Sequence, residues 1–405
     1  MTDDPYKQAL ALLREVATPH GFLASPTDAT NYRRVWARDA VVCGLAGLAA
    51  GDAALADALR ATLETLAAHQ GPHGQIPSNV ALAPDGTAAD VSYGGVCGRV
   101  DPIPWFVIGV AQYVRRTGEA GFADEMAPAM RRGLDLLTAW EFNGRGLVYV
   151  PQGGDWADEY VLHGYVLYDQ LLRLWALRGF ADVAGEAAAR EAAAALAERL
   201  RATFWPAPEG DPDAAYHPHA YRRYVEAHGA APYGLAALTP GGYVTRFDAW
   251  SNALALLLGV PSAAQAERLV AAGEALRDAR PHALVPAFWP PITEDDPAWT
   301  DLRANYRDRF SNRPYAYHNG GLWPMINGWW GCALAAHGRP EAAAELLAHL
   351  HAANRGGTND GAWTFPEYLH AETGRMGGTP RLAWSAAGVV LLARHLRGQT
   401  LAYGG

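Results

Sequence analysis

Two acids stand apart from the other charges of this sequence. Asp158 lies in Gly153-Gly-Asp-Trp-Ala-Asp-Glu159 and Glu367 in Trp363-Thr-Phe-Pro-Glu-Tyr368, aromatic and turn-rich segments that each run into an apolar, helix-period stretch. Cleaving a glycosidic bond needs one protonated carboxyl to protonate the departing oxygen. It also needs one ionised carboxylate acting on the opposite side of the sugar. Flanking Trp and Phe would desolvate such acids and raise the pKa of the donor. Either acid alone is equally a helix cap or a solvated loop charge, and Asp155 and Glu159 compete with Asp158 on composition.

Further motifs read as holders of a polar ring. Arg38 and Asp39, in Trp36-Ala-Arg-Asp39, can clamp adjacent hydroxyls, and as an ion pair they would equally suit a helix start. Asp101 with Trp105, and Tyr317-His-Asn-Gly320 with Trp323, are similar clusters. Of the fourteen Trp residues, Trp36, Trp105, Trp156, Trp250, Trp323, Trp363 and Trp384 fall in or beside these motifs, offering flat faces to pyranose C–H surfaces. His163 and His318 can donate to hydroxyls, with core or capping roles as the bland alternative; Asn319 completes the set. His217 and His219 have the spacing of two metal ligands without a third, so no metal is expected. A phosphate-cradling loop, a nucleophile elbow and a dinucleotide fingerprint are all missing, and no organic cofactor is expected.

These clusters recur about every 60 to 85 residues, the range of a repeated supersecondary unit. Each precedes a helix, and a second helix follows before the next cluster. The pattern predicts helices over 5–17, 39–49, 52–69, 102–117, 120–140, 161–178, 181–203, 248–258, 262–278, 320–337, 340–351 and 382–397. Alternate members, such as Leu322-Trp-Pro-Met-Ile-Asn-Gly-Trp-Trp330, are apolar all round, whereas 181–203 is one-sided. The first kind belongs inside and the second outside. The expectation is an all-α fold, an (α/α)6 barrel made of a toroid of six helical hairpins, with 1–405 as one domain. Its chemistry gathers at one end, on the long loops 70–100, 141–160, 204–247, 279–319 and 352–381. The stretch 204–247, with Tyr216-His-Pro-His219 and Tyr221-Arg-Arg-Tyr224, reads as a lid or subsite wall.

Half the 405 residues are hydrophobic and 19% charged, enough apolar material for a large core. A net charge of -9 argues against nucleic acid or an anionic membrane as partner, and no apolar run is long enough to span a bilayer. Cys43, Cys97 and Cys332 are far apart and odd in number, which suits buried structural thiols in a reducing cytoplasm. With no signal peptide visible, a cytoplasmic enzyme on a small carbohydrate is expected, and a homo-oligomer is compatible with the sequence.

The stretch Asn312-Arg-Pro-Tyr-Ala-Tyr-His-Asn-Gly-Gly-Leu-Trp-Pro324, followed by Gly338-Arg-Pro340, resembles the neutral/alkaline invertase family. Asn31-Tyr-Arg-Arg-Val-Trp-Ala-Arg-Asp39, Gly98-Arg-Val-Asp101 with Trp105-Phe106, Phe365-Pro-Glu-Tyr368 and Trp384-Ser-Ala-Ala-Gly388 also have counterparts there. The wider group includes glucoamylases, trehalases, debranching-enzyme glucosidases and mannosylglycerate-type hydrolases. The resemblance implies an (α/α)6 barrel, an inverting two-carboxylate mechanism, Asp158 as general acid and Glu367 as base. It also implies Arg38, Asp39, Asp101, His318 and Asn319 as the lining of a glucose subsite. The acid loop is closer to the debranching-enzyme form, and 204–247 has no invertase counterpart, so the leaving group is left open between sucrose, an α-1,6-glucosyl branch and a glucosyl- or mannosylglycerate. An epimerase or isomerase on the same toroid would instead centre on His163 and His318, and a silent sugar-binding protein would not need both acids.

Overall fold

Helices buried on every side and helices buried on one face alternate along this chain, and the difference sorts them into two rings. The computed structural model describes residues 4–27, 31–83, 85–305, 309–355 and 363–404. Residues 306–308 of the loop 279–319 and 356–362 of the loop 352–381 lie outside the described residues. The helices are α1 (Pro5–Val16), α2 (Ala37–Ala50), α3 (Ala53–Ala68), α4 (Pro102–Thr117), α5 (Ala120–Ala139), α6 (Leu167–Val183) and α7 (Ala187–Phe204). They continue with α8 (Pro218–His228), α9 (Ala249–Leu257), α10 (Ala263–Asp278), α11 (Trp299–Ala304), α12 (Pro324–Ala336), α13 (Pro340–Arg355) and α14 (Ala383–His395).

Helices α2, α4, α6, α9, α12 and α14 pack each against the next, and α14 returns to α2, closing an inner ring. Their residues are buried almost without interruption: every position of α14 from Ala383 to Ala393 is enclosed. The outer helices bury one stripe, in α7 at Ala189, Ala193, Leu196, Ala197 and Leu200, the spacing of a single helical face. Helices α3, α5, α7, α10 and α13 follow their inner partners in sequence and pack on them, while α1 covers α14. Each fully enclosed Leu or Val contributes roughly 1.5–3 kcal/mol, so the closed ring is where the stabilising burial concentrates. Close approach is needed within it. A Cβ on Gly328 of α12 would stand 2.5 Å from Gly388 Cα of α14, so only glycine lets these two backbones meet.

All six inner helices begin at the same end, and short strands brace that end. Strands β1 (Ala17–Thr18) and β2 (Gly21–Phe22) form a hairpin. Strand β3 (Val35–Trp36) leads into α2 and pairs with β4 (Asn79–Leu82), which pairs with β5 (Ala88–Ser92). Strand β6 (Tyr165–Val166) leads into α6 and pairs with β7 (Leu235–Thr239). Strand β8 (Gly242–Asp248) leads into α9 and lies between β7 and β9 (Phe288–Trp289). The last hairpin is β10 (Tyr368–Leu369) with β11 (Met376–Gly377). Every pairing is antiparallel. Loop carbonyls satisfy the first N–H groups of the inner helices: Ala37 donates to Ser78, Ala249 to Ala287 and Ala383 to Ala24.

The twelve expected helices are present, with α4 matching its expected span. The differences lie at both ends: away from the braced end α6 runs on to Val183 rather than stopping at 178, and α7 begins at Ala187 rather than at 181. Helix α6 starts at Leu167 rather than at 161, because Tyr165 and Val166 extend to pair with β7, and α12 starts at Pro324 rather than at 320. The loop 204–247 is not irregular: it holds α8 and the β7–β8 hairpin. Two-residue strands such as Val35–Trp36 and Tyr165–Val166 have too little alternation to show a period of two, whereas the longer Leu235–Thr239 and Gly242–Asp248 are strands that the helix-period reading passes over.

Candidate active site

A cavity of 640 Å³ opens at this braced end, walled by Tyr32, Trp36, Arg99, Asp158, Glu159, Arg309, Tyr317 and Glu367 among others. Its walls come from the segments ahead of α2, α4, α6, α12 and α14, while 204–247 contributes none of them. The expected acids Asp158 and Glu367 are thus on one cavity.

Glu367 is held firmly. Its neighbour Leu369 exchanges backbone hydrogen bonds with Leu322, and Ser385 Oγ donates to the Pro366 carbonyl at 2.8 Å. Glu367 Oε1 accepts from Tyr32 Oη at 2.8 Å and Oε2 from the Thr379 N–H at 2.8 Å. Burial pushes its pKa up to about 7 against those two donors, with the Asp39 and Asp158 charges adding to the rise. Gly378 lies against it at φ +74, where a Cβ would come within 2.1 Å of Oε2.

Asp158 sits differently. Tyr160 N–H donates to the Ala157 carbonyl at 2.8 Å, closing a turn that carries Asp158 and Glu159 at its corners. The Arg99 guanidinium ion-pairs with Asp158 and donates to the Gly153 carbonyl, so one cation fixes both the carboxylate and the turn before it. Glu159 is half-buried, and its Oε2 has no hydrogen-bond partner. Burial pushes Glu159 up to about 7, reinforced by the Asp158 and Glu367 charges. Asp155 is fully enclosed, both its oxygens are unpartnered, and burial followed by the Asp248 charge drives its pKa far upward. Of the three acids that competed on composition, Asp158 and Glu159 face the cavity and Asp155 lies in the core.

Beneath the cavity, Arg38 donates to Asp101 Oδ2 at 2.6 Å and stands 3.9 Å from Asp39. Burial works against the Arg38 cation, but the two carboxylates outweigh it, and burial pushes Asp39 up to about 6. His318 is enclosed and held neutral, its pKa lowered by burial and then by Arg38 and Arg99. Asp39 Oδ1, Asp101 Oδ1, Trp156 Nε1, His318 Nδ1 and Trp384 Nε1 are buried without a partner.

The expected aromatic platforms divide. Trp36 and Tyr317 are on the cavity wall. Trp105, Trp156, Trp323 and Trp384 are 0–3% exposed and pack edge and face on one another along the barrel axis; Trp156 stacks on Phe288 and meets Trp323 edge-on. A Trp at the start of an inner helix can point to the axis, as Trp384 does, or to the mouth, as Trp36 does, and the sequence does not distinguish the two. Asn319 spends its side chain on backbone, accepting from Ile292 N–H at 2.6 Å and donating to the carbonyls of Ile292 and Asn312. His163 is half-buried ahead of β6, outside the cavity wall. His217 caps α8 through Nδ1, and among the described residues no three possible metal ligands cluster. Cys43 and Cys332 are buried as expected, but Cys97 is exposed, on the loop Gly94–Gly98 whose two end glycines have positive φ. Tyr32 and Arg99 lie within sequence motifs, Asn31–Asp39 and Arg99-Val-Asp101, that assign them no role of their own, and no motif includes Thr379. Tyr32 and Glu367 are 335 residues apart, and no local signal joins them.

A closed ring of six inner and six outer helices, with a polar cavity at the starts of the inner ones, defines the (α/α)6-barrel class. Residues 215–399 match the family of alkaline and neutral invertases. Mannosylglycerate hydrolase from Thermus thermophilus is similar at a TM-score of 0.69 and 16% identity, over 96% of this chain and 99% of that one. A bacterial glucoamylase, complexed with acarbose, is similar at a TM-score of 0.65 and 17% identity, over 99% of this chain and 56% of that one. A rhamnosidase from Klebsiella oxytoca is similar at 0.57 and 16% identity, over 96% and 64%. No curated protein matches the chain. The structural likenesses carry the fold, an (α/α)6 barrel, and the family match places the second half of the chain beside the alkaline and neutral invertases. Among the described residues no helix is long and apolar enough to cross a membrane.

Proposed function

We propose that the protein hydrolyses a small α-glucoside with inversion, Asp158 acting as general acid and Glu367 as general base. The observation that carries this reading is that both carboxyls wall one cavity, with Glu367 fixed by Tyr32 and Thr379. Glu367 takes a proton from a water whose oxygen attacks the anomeric carbon. The glycosidic C–O bond breaks, and Asp158 gives its proton to the departing oxygen. The unpartnered polar atoms of Asp39, Asp101, Trp156, His318 and Trp384 beneath the cavity are suited to a sugar's hydroxyls, since buried polar atoms in folded proteins nearly always find partners. Trp36 and Tyr317 offer the stacking faces, with Arg38 holding Asp101 beneath the cavity and Trp323 packed against Tyr317, while Trp105, His163 and Asn319 lie away from the wall.

Sucrose is the first substrate reading, from the invertase match. A glucosyl- or mannosylglycerate is the second, favoured by the Arg309 guanidinium on the cavity wall, which would suit a carboxylate on the leaving group.

Stereochemistry tests the mechanism whichever substrate holds. Proton NMR within minutes of mixing should show β-glucose appearing first from an α-glucoside, because water enters opposite the leaving group. Initial α-glucose would mean a covalent intermediate and would remove Glu367 from the role of base. Asp158→Asn should lower glycoside turnover by roughly 10²–10⁴-fold. The same variant should largely spare α-glucosyl fluoride, whose leaving group departs without a full proton transfer.

A further inference from the structure

Four carboxyls wall the cavity, whereas a two-carboxylate reaction uses two; one of the four, Asp90, is exposed and paired with Arg34. Of the other three, Asp158 is the one paired with a cation, Arg99, so negative charge rests there at least cost. A carboxylate locked to a guanidinium has no proton to give, although the acid of the proposed reaction must have one. Glu159 is the next residue on the same turn. Its Oε2 is buried without a donor, which is costly for a carboxylate and much less so for a carboxylic acid. The Asn312 side chain, itself buried, donates to the Glu159 carbonyl at 2.9 Å and keeps the turn from rotating Glu159 out to solvent.

We propose that Glu159 is a positioning residue that stores the proton Asp158 delivers, with Arg99 keeping the charge on Asp158 until substrate arrives. This rests on the assignment of Asp158 as general acid. At rest Glu159 is a carboxylic acid and Asp158 a carboxylate bound to Arg99. When the sugar occupies the cavity, the proton of Glu159 moves to Asp158, leaving Glu159 as a carboxylate. The Asp158 proton then passes to the glycosidic oxygen as the C–O bond breaks, while Glu367 takes the proton of the attacking water. After the products leave, Glu367 loses that proton to solvent and Glu159 regains one, so charge and protons balance over the cycle. The charged groups acting on Glu159 are Asp158, Glu367, Arg99 and Arg309. The first two favour its protonated form and the arginines its ionised form. The rise of Glu159 to about 7 agrees with a group that still holds a proton near neutral pH.

The test compares pH profiles of Glu159→Gln, Glu159→Asp and Asp158→Asn with wild type. The probes are α-glucosyl fluoride and the fastest of sucrose, isomaltose and glucosylglycerate. Glu159→Gln should move the alkaline limb of glycoside kcat down by about one pH unit and lower kcat about tenfold at neutral pH. KM and fluoride turnover should stay within about twofold, showing a folded site. Glu159→Asp should keep the wild-type limb. An unmoved alkaline limb in Glu159→Gln overturns the proposal, and so does an equal loss on the fluoride, which would mark a merely structural role. Asp158→Asn separates this from the underlying reading. If it abolishes glycoside turnover and spares the fluoride while Glu159→Gln changes nothing, only the proton store is wrong. If it leaves glycoside turnover intact, Asp158 is not the acid and both readings fall.

Discussion

The two walls of the cavity are built on opposite principles. The Glu367 wall is a bridged, hydrogen-bonded strand in which each carboxylate oxygen already has its donor, Tyr32 on one and Thr379 on the other. The Asp158 wall is a tight turn whose carboxylate is bound by an arginine, with a second acid of elevated pKa beside it. A base that must receive a proton from water gains from a fixed orientation and from donors that strengthen its ionised form. An acid must hold a proton and then release it, which asks for partners that change during the reaction. One wall is preorganised and the other is poised.

The comparison breaks most decisively at Glu367. Glu367→Gln keeps the shape and both contacts but cannot accept a proton. Glycoside and fluoride hydrolysis should both fall, by roughly 10²–10⁴-fold, because both need an activated water. Steady-state kinetics on the two substrates measures this, and a variant defective on the glycoside alone would move Glu367 to the acid side.

A smaller effect sharpens the same point. Tyr32→Phe removes one donor to the Glu367 carboxylate, and that hydrogen bond lowers the Glu367 pKa. Without it the pKa should climb further above about 7. As the proposed base, Glu367 works ionised, so the acidic limb of kcat/KM should move to higher pH, with about tenfold lost at neutral pH. An acidic limb that stays in place would show that Tyr32 does not tune the base.

These walls were unequally legible in the sequence. Pro102 at the first turn of α4 and Gly118 in left-handed conformation at its end frame that helix with local signals, and its limits were read correctly. The start of α6 was not, since Tyr165–Val166 is held extended by the distant strand Leu235–Thr239. Asp158 and Glu367 stood out through their aromatic surroundings and their family resemblance, yet the partners that distinguish their chemistry, Arg99 and Tyr32, are set by the closing of the ring. Trp36 and Trp384 both stand at the start of an inner helix, but one reaches the cavity wall and the other the barrel axis. Such a choice depends on the rotation of each helix about its own axis, which the spacing of apolar residues constrains only coarsely.

The smallest effect concerns the axis beneath both walls, and it asks whether the contrast in charge is confined to the mouth. Asp248 caps α9, its Oδ1 accepting from the N–H groups of Trp250 and Ser251 at 3.0 and 3.2 Å, while Oδ2 is buried without a partner. Burial pushes its pKa up to about 7, against about 3.9 for an unfolded Asp. Between those values the folded chain keeps a proton that the unfolded chain has released. Stability therefore falls as pH rises through this window and levels off above it. Asp39, pushed up to about 6, acts in the same direction. Asp248→Asn retains the capping oxygen and cannot ionise. Relative to wild type its Tm should rise between pH 5 and pH 8 by roughly 2 °C, measured by calorimetry at matched ionic strength. A difference that does not change with pH would mean that Asp248 stays ionised in the folded core, and the axis would then have to be counted with the mouth as part of one charged site.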